Sequence, residues 1–230
     1  MDVSAAVATR KSCLAYLDHP VDPALLRDIL VRASQAASGG NLQPWRVWML
    51  TGDTLSDFKA LMAARSEKGL VDTPEYPVYP SPLKSPYRDA RFAVGEEMYD
   101  RLGIPRDDKP ARLAWFARNY QFFGAPAAAF FYLDRDMTVA QWTDMGAFVS
   151  TVMLLATEAG LSTCAQEAWV TQWEATSEFL GAPSNLMLFA GMAIGYADEM
   201  APVNGLKTRR EPPETWLFHP EGRPGPSSER

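Results

Sequence analysis

Three short stretches of this sequence concentrate groups that can grip an anion or hydrogen-bond a polar ring. The first is Arg10-Lys11-Ser12, two cations and a hydroxyl in succession, suited to holding a phosphate. The same run could equally be a solvated surface. The second is Ala36-Ala37-Ser38-Gly39-Gly40-Asn41-Leu42-Gln43-Pro44-Trp45. Its glycines let the backbone approach a ligand closely, and Ser38, Asn41 and Gln43 offer neutral donors and acceptors. A helix cap and turn would explain Gly39 and Gly40, but not so many polar amides. The third is Lys207-Thr208-Arg209-Arg210, ahead of Glu211-Pro212-Pro213. In a chain of net charge −6, such a concentration of cations favours a local anion site, with a solvated tail as the alternative.

Other site chemistries are missing. No Gly-x-Gly-x-x-Gly follows a strand, since Gly191 to Gly195 has the wrong spacing and lies in an apolar run. There is no phosphate-binding loop and no Gly-x-Ser-x-Gly elbow. The two histidines, His19 and His219, both precede prolines and read as turn residues. The two cysteines, Cys13 and Cys164, lie far apart with no metal-ligand spacing. No metal is therefore expected. No side chain stands out as catalytic, so an enzyme built this way would rely on an organic cofactor.

These stretches need elements to position them. A short helix over residues 2–9 ends at the first. A helix over 22–37, with Asp22 as cap, Pro23 in its first turn and Leu25, Leu26, Ile29, Leu30 and Ala33 on one face, ends at the second. Strands are predicted over 46–50, 127–133, 162–168 and 186–195. Further helices are predicted over 53–66, 88–103, 108–123, 139–159 and 171–181. Residues 71–87 carry five prolines with Tyr76, Tyr79 and Tyr87, which predicts an ordered loop. Residues 200–230 read as an extended C-terminal segment. Few strands among many helices indicate a mixed α/β chain. A doubly wound parallel sheet fits poorly, because two helices precede the first strand.

The 230 residues suit a single domain over 1–230 with a sizeable core. The acidic balance disfavours nucleic acid. Two isolated cysteines suit a reducing cytoplasm. No run reaches the roughly 18 uninterrupted apolar residues of a membrane helix, and the N-terminus lacks the pattern of a signal peptide.

Arg10-Lys11-Ser12-Cys13-Leu14-Ala15-Tyr16 resembles the Arg-Arg-Ser-x-Arg-x-Phe opening of the nitroreductase family. Ser38-Gly39-Gly40-Asn41-Leu42-Gln43-Pro44-Trp45 is similar to that family's Ser-x-x-Asn-x-Gln-Pro-Trp. Gly160 to Gln166 resembles the strand that runs past the flavin, and Asn204 to Pro212 the basic stretch near the C-terminus. The resemblance implies an α+β fold with a central, mostly antiparallel sheet flanked by helices. It also implies a homodimer with a domain-swapped C-terminal extension. It implies FMN, NADH or NADPH as donor, and a ping-pong transfer of two electrons to nitroaromatic or quinone acceptors, with hydride passing through flavin N5. Carried over by position, Arg10, Ser12, Lys207 and Arg210 would bind the phosphate, with Lys11 and Leu14 also at the cofactor. Ser38, Gly39 and Asn41 would come from the other subunit. Ala165, Gln166 and Glu167 would pass the ring and offer a backbone N–H to N5. Leu14 departs from the pattern, standing where the family usually has a cation; Lys84 and Arg88 are substitutes by charge alone. Ala37 replaces a usual proline. Trp115, Phe116, Tyr120, Phe122 and Phe123 are candidates for a flat pocket or for plain core. Other flavin chemistry on the same scaffold, or a flavin-binding sensor or carrier without turnover, are the alternative functions.

Overall fold

The computed structural model describes residues 1–218, so His219 and the rest of the predicted C-terminal segment lie outside the described residues. Strands β1 (Arg46–Thr51), β2 (Ala127–Asp134), β3 (Ser162–Gln166) and β4 (Leu186–Gly195) form one sheet in the order β1-β2-β4-β3. Every neighbouring pair is antiparallel, as the α+β expectation required. The apolar run of β2 reflects burial on both faces. Ala128, Phe130 and Tyr132 enter one core, while Ala127, Ala129, Phe131 and Leu133 enter the other.

On the first face, Leu55, Phe58 and Met62 of α3 (Gly52–Glu67) meet Phe122, Phe130 and Trp169. On the second, Leu26, Ile29 and Ala33 of α2 (Pro23–Ala33) pack with Met145, Phe148 and Val152 of α6 (Val139–Glu158). The short α1 (Val3–Thr9) precedes the N-terminal stretch. Helices α4 (Tyr87–Arg101), α5 (Lys109–Ala117) and α7 (Trp173–Leu180) complete the set. Helix α6 is long and apolar enough on average to cross a bilayer, but Gln141, Thr143 and Asp144 interrupt it. Its buried stripe runs through Met145, Phe148, Val149, Val152 and Ala156. Only 28% of its most apolar 18-residue stretch is buried within the chain.

Several predicted boundaries move, three of them for reasons visible in the structure. Helix α2 stops at Ala33 rather than Ala37, where the Ser34 hydroxyl donates to the Val31 carbonyl at 2.7 Å and draws the chain out of the helix. The helix expected over 108–123 ends at Ala117. Arg118–Gly124 then winds as 3-10 helix, with Phe122 at φ 49° and Phe123 at φ 53°. Those left-handed residues turn both rings into the core, at 0% and 4% exposure, which offsets the backbone cost. The strand over 162–168 stops at Gln166, and a 3-10 turn over Glu167–Thr171 follows. Trp169 on that turn packs an edge of its indole against Gly191 of β4, where a Cβ would come within 2.3 Å of the ring. Gly191 is therefore a site of close approach.

Between α3 and α4 the proline-rich stretch has no regular structure but is tied down. Asp72 pairs with Arg65 at 2.6 Å and accepts from the Glu174 N–H at 2.9 Å. Trp173 donates to the Thr73 carbonyl, and the Tyr76 hydroxyl to the Phe189 carbonyl.

Candidate functional site

Strand β3 lies at the edge of the sheet, and the N-terminal stretch covers part of its outer side. Ser12 bridges Thr163 in parallel, and the Cys13 N–H donates to the Thr163 carbonyl at 2.9 Å. Backbone groups alternate sides along a strand, so Ala165 faces the same outer edge, beyond the end of this cover. The Gln166 side chain turns inward at 3% exposure. It donates to the Asn119 carbonyl at 2.8 Å and Oδ1 at 3.1 Å, and accepts from Trp169 Nε1 at 3.3 Å. Gln166 is thus a strut, and its backbone pairs with Gly191 of β4. Glu167 is exposed beside it.

The N-terminal stretch is tied at Asn204, a residue of 2% exposure in a 3-10 turn over Pro202–Gly205, three residues before the third basic cluster begins. Its Oδ1 accepts from the Leu14 N–H at 2.8 Å, and its Nδ2 donates to the Ala15 and Asp198 carbonyls at 2.7 and 2.9 Å. Lys11 turns to the same joint, donating to the Asn204 carbonyl at 2.9 Å and to Glu199 at 3.0 Å. Its ammonium is already engaged. Arg10 is half-buried and Ser12 exposed, and neither side chain has a hydrogen-bond partner among the described residues. The Leu14 side chain packs against the core. Lys207 and Arg210 sit on the exposed strand of chain beyond the joint, with Arg210 turned back onto the Thr208 hydroxyl at 2.7 Å.

The Ser38–Asn41 loop lies elsewhere. The Gly39 N–H donates to both Asp144 carboxylate oxygens, at 3.1 and 3.2 Å, which ties the loop to the start of α6. Ser38 Oγ accepts from the Gln43 N–H at 3.1 Å. Gly40, Asn41 and Gln43 all take positive φ, so the loop is held in a conformation few side chains tolerate. It makes no hydrogen bond to residues 10–16 or to β3 among the described residues.

A cleft of about 460 Å³ opens at the uncovered end of β3, with the 165–168 backbone along one wall. Tyr79, Phe116 and Tyr120 give it aromatic sides, and Asn119, Arg91 and Glu167 supply polar groups. Tyr120 donates to or accepts from Thr171 Oγ1 at 2.8 Å; burial pushes its phenol up despite that bond. The five aromatic candidates therefore divide. Phe116 and Tyr120 line the cleft, while Trp115, Phe122 and Phe123 are core. Burial pushes the Cys164 thiol up to about 12, and raises Cys13 and Tyr16 as well. Of the proposed substitutes for the cation missing at Leu14, Arg88 pairs with Asp89 at 2.9 Å, and neither it nor Lys84 lines the cleft. Another depression, of about 650 Å³ beside Arg135 and Trp173, contains none of the candidates. Arg91, Asn119 and the joint role of Asn204 were not expected from sequence. Arg91 carried a faint signal, a cation one helical turn beyond Tyr87 at the end of the proline-rich loop.

Comparison with known proteins supplies the context. The Nitroreductase family profile matches residues 7–196. The chain is 36% identical over 203 residues to nitrobenzene nitroreductase of Ectopseudomonas oleovorans, covering 86% of this chain and 88% of that one. It is 33% identical over 210 residues to 4-nitrobenzoate reductase of Pseudomonas putida, covering 91% and 92%. Among solved structures, the FMN and NADPH-dependent nitroreductase NfnB from Sphigopyxis sp. strain HMH superposes with a TM-score of 0.91 at 42% identity, covering 95% of this chain and 99% of that one.

Proposed function

Because the chain belongs to the nitroreductase family, we propose that it is an FMN-dependent enzyme passing two electrons from NADPH or NADH to nitroaromatic or quinone acceptors. The observation that carries this reading is the aromatic cleft at the open edge of β3, where backbone donors and flat apolar walls coincide. The residues present fit FMN by their donor set. Arg10 and Ser12 stand beside β3 with unengaged side chains, and Lys207 and Arg210 follow the Asn204 joint, so a phosphate can be met from both sides. Lys11 would reach it only by leaving Glu199. The bound flavin supplies hydride transfer at N5. The Ala165 to Glu167 segment would pass beside the flavin and offer it a backbone N–H from the open side of the strand. Tyr79, Phe116 and Tyr120 stack flat substrates and exclude water. One cleft serves donor and acceptor, so they bind in turn, and the cycle is ping-pong.

The active form in this reading is a homodimer. The poorly covered α6 supplies an apolar face, and the Ser38–Asn41 loop, which lines no part of its own chain's cleft, serves the partner's flavin. Trp216, Leu217 and Phe218 remain exposed at 61%, 51% and 76%, which suits a C-terminal extension that crosses to the second subunit. Two thiols without a disulfide agree with a cytoplasmic location.

Purified protein is to be heat-released for flavin identification by chromatography, then assayed for NADPH and NADH oxidation with nitrobenzene and a quinone. FMN with turnover supports the reading. FMN without turnover makes the protein a carrier or sensor, and a different flavin refutes the cofactor assignment.

A further inference from the structure

The cleft holds a cation that nothing in the cofactor site uses. Arg91 lies on the second turn of α4, with its guanidinium carbon 4.5 Å from the centroid of the Tyr79 ring. Arg32, Arg65, Arg88, Arg101, Arg112 and Arg135 each pair with a carboxylate. Arg91 has neither an ion pair nor a hydrogen bond among the described residues; Arg106, over the Phe92 ring, is in the same state, but of the two only Arg91 lines the cleft. Stacking occupies the flat face of a guanidinium and leaves its in-plane N–H fork available, the geometry that grips a carboxylate or phosphate through two parallel bonds. Glu167 lines the same cleft but is not within ion-pair distance of Arg91, so the cation is not neutralised from inside the site.

We propose that Arg91 is the anion-binding residue of this cleft. It seats an oxyanion carried in by a flat ligand: the carboxylate of an aromatic acid of the nitrobenzoate class, or the 2′-phosphate that distinguishes NADPH from NADH. Tyr79 holds the guanidinium in place, and Phe116 and Tyr120 receive the ring. The proposal rests on the functional reading above for its substrates, but the binding itself does not depend on turnover.

The test compares the wild-type FMN-loaded protein with Arg91→Gln and Arg91→Lys. By titration calorimetry, benzoate and benzamide are bound to each, and kcat/KM is measured for 4-nitrobenzoate, nitrobenzene, NADPH and NADH. For Arg91→Gln, each comparison is a ratio measured within one variant, so any loss common to all substrates and both donors cancels. A substrate carboxylate as the seated anion gives a loss of about tenfold or more in benzoate affinity and in the 4-nitrobenzoate to nitrobenzene ratio, which corresponds to about 1.4 kcal/mol. A donor phosphate as the seated anion gives the same loss in the NADPH to NADH ratio, with both nitroarenes affected equally. Arg91→Lys recovers only part of either effect, because it keeps the charge and loses the fork. Unchanged benzoate affinity together with unchanged ratios overturns the proposal. Benzoate binding through Arg91 in a protein that reduces no nitroarene overturns the functional reading and leaves the role of Arg91 standing.

Discussion

Replacing Asn204 with alanine cuts the joint between the two ends of the chain. The Asn204 side chain makes three hydrogen bonds from a position of 2% exposure: from the Leu14 N–H at 2.8 Å, and to the Ala15 and Asp198 carbonyls at 2.7 and 2.9 Å. Each is worth about 1 kcal/mol net, so their loss costs about 3 kcal/mol, less whatever water regains at half-buried Ala15. The Lys11 contact to the backbone carbonyl at 204 survives. Urea unfolding followed at fixed protein concentration measures the effect, because an oligomer's stability depends on concentration. With a slope of about 3 kcal/mol/M, the midpoint falls by about 1 M. FMN affinity falls in the same variant, since Ser12 and Leu14 ride on the released stretch. Asn204→Asp keeps the acceptor for the Leu14 N–H but sets a carboxylate oxygen against the Ala15 and Asp198 carbonyls, so it destabilises at least as much as alanine. A midpoint shift below about 0.3 M with unchanged FMN affinity would refute the reasoning.

On the proposed placement of residue 14 beside the flavin, Leu14→Arg should raise the flavin midpoint potential; for two electrons, about 30 mV corresponds to about 1.4 kcal/mol. A redox titration showing an equal or lower potential with FMN fully bound would mean that Leu14 is not a lost electrostatic contact. The double change Lys207→Ala with Arg210→Ala should weaken FMN at least about tenfold in a fluorescence titration; unchanged affinity would make the tail cluster merely solvated. Alkaline stability should depend on Cys164, whose thiol burial shifts from 9.0 to about 12. The unfolded chain releases this proton first, so the thiol's contribution is intact below pH 9.0 and drains away as pH climbs toward about 12. Urea midpoints of Cys164→Ala should fall less steeply over that window, and matching slopes would show that other groups govern it.

Most of the frame was legible because periodicity and capping act locally. Asp22 and Pro23 mark the start of α2 in sequence and do so in the structure, where Asp22 Oδ1 accepts from the Ala24 N–H at 2.8 Å. The fully buried strands, β2 and β4, were read from their apolar runs. What failed was set by distant partners. Nothing near Phe122 and Phe123 announces left-handed backbone; the core that rewards it comes from α3 and β2. The end of β3 at Gln166 depends on Trp169 reaching Gly191, which is also why that glycine belongs to no nucleotide fingerprint. At the site, Arg10, Ser12, Lys207 and Arg210 remain a proposal carried over from the family resemblance, and charge alone did not separate Lys84 and Arg88 from Arg91. Only geometry places Arg91 in the cleft, and only geometry shows Lys11 committed to Glu199.

The incomplete cover on β3 has a consequence for handling the protein. A sheet edge with unpaired backbone groups is a template for another chain, and here residues 12 and 13 are the cover over its first half. A protease cut between Arg10 and Tyr16 would free that half, while any ligand seated at Ala165 to Glu167 shields the other. Storage without ligand, or N-terminal trimming during purification, should therefore lead to intermolecular strand pairing and precipitation well before the helical layers lose their packing.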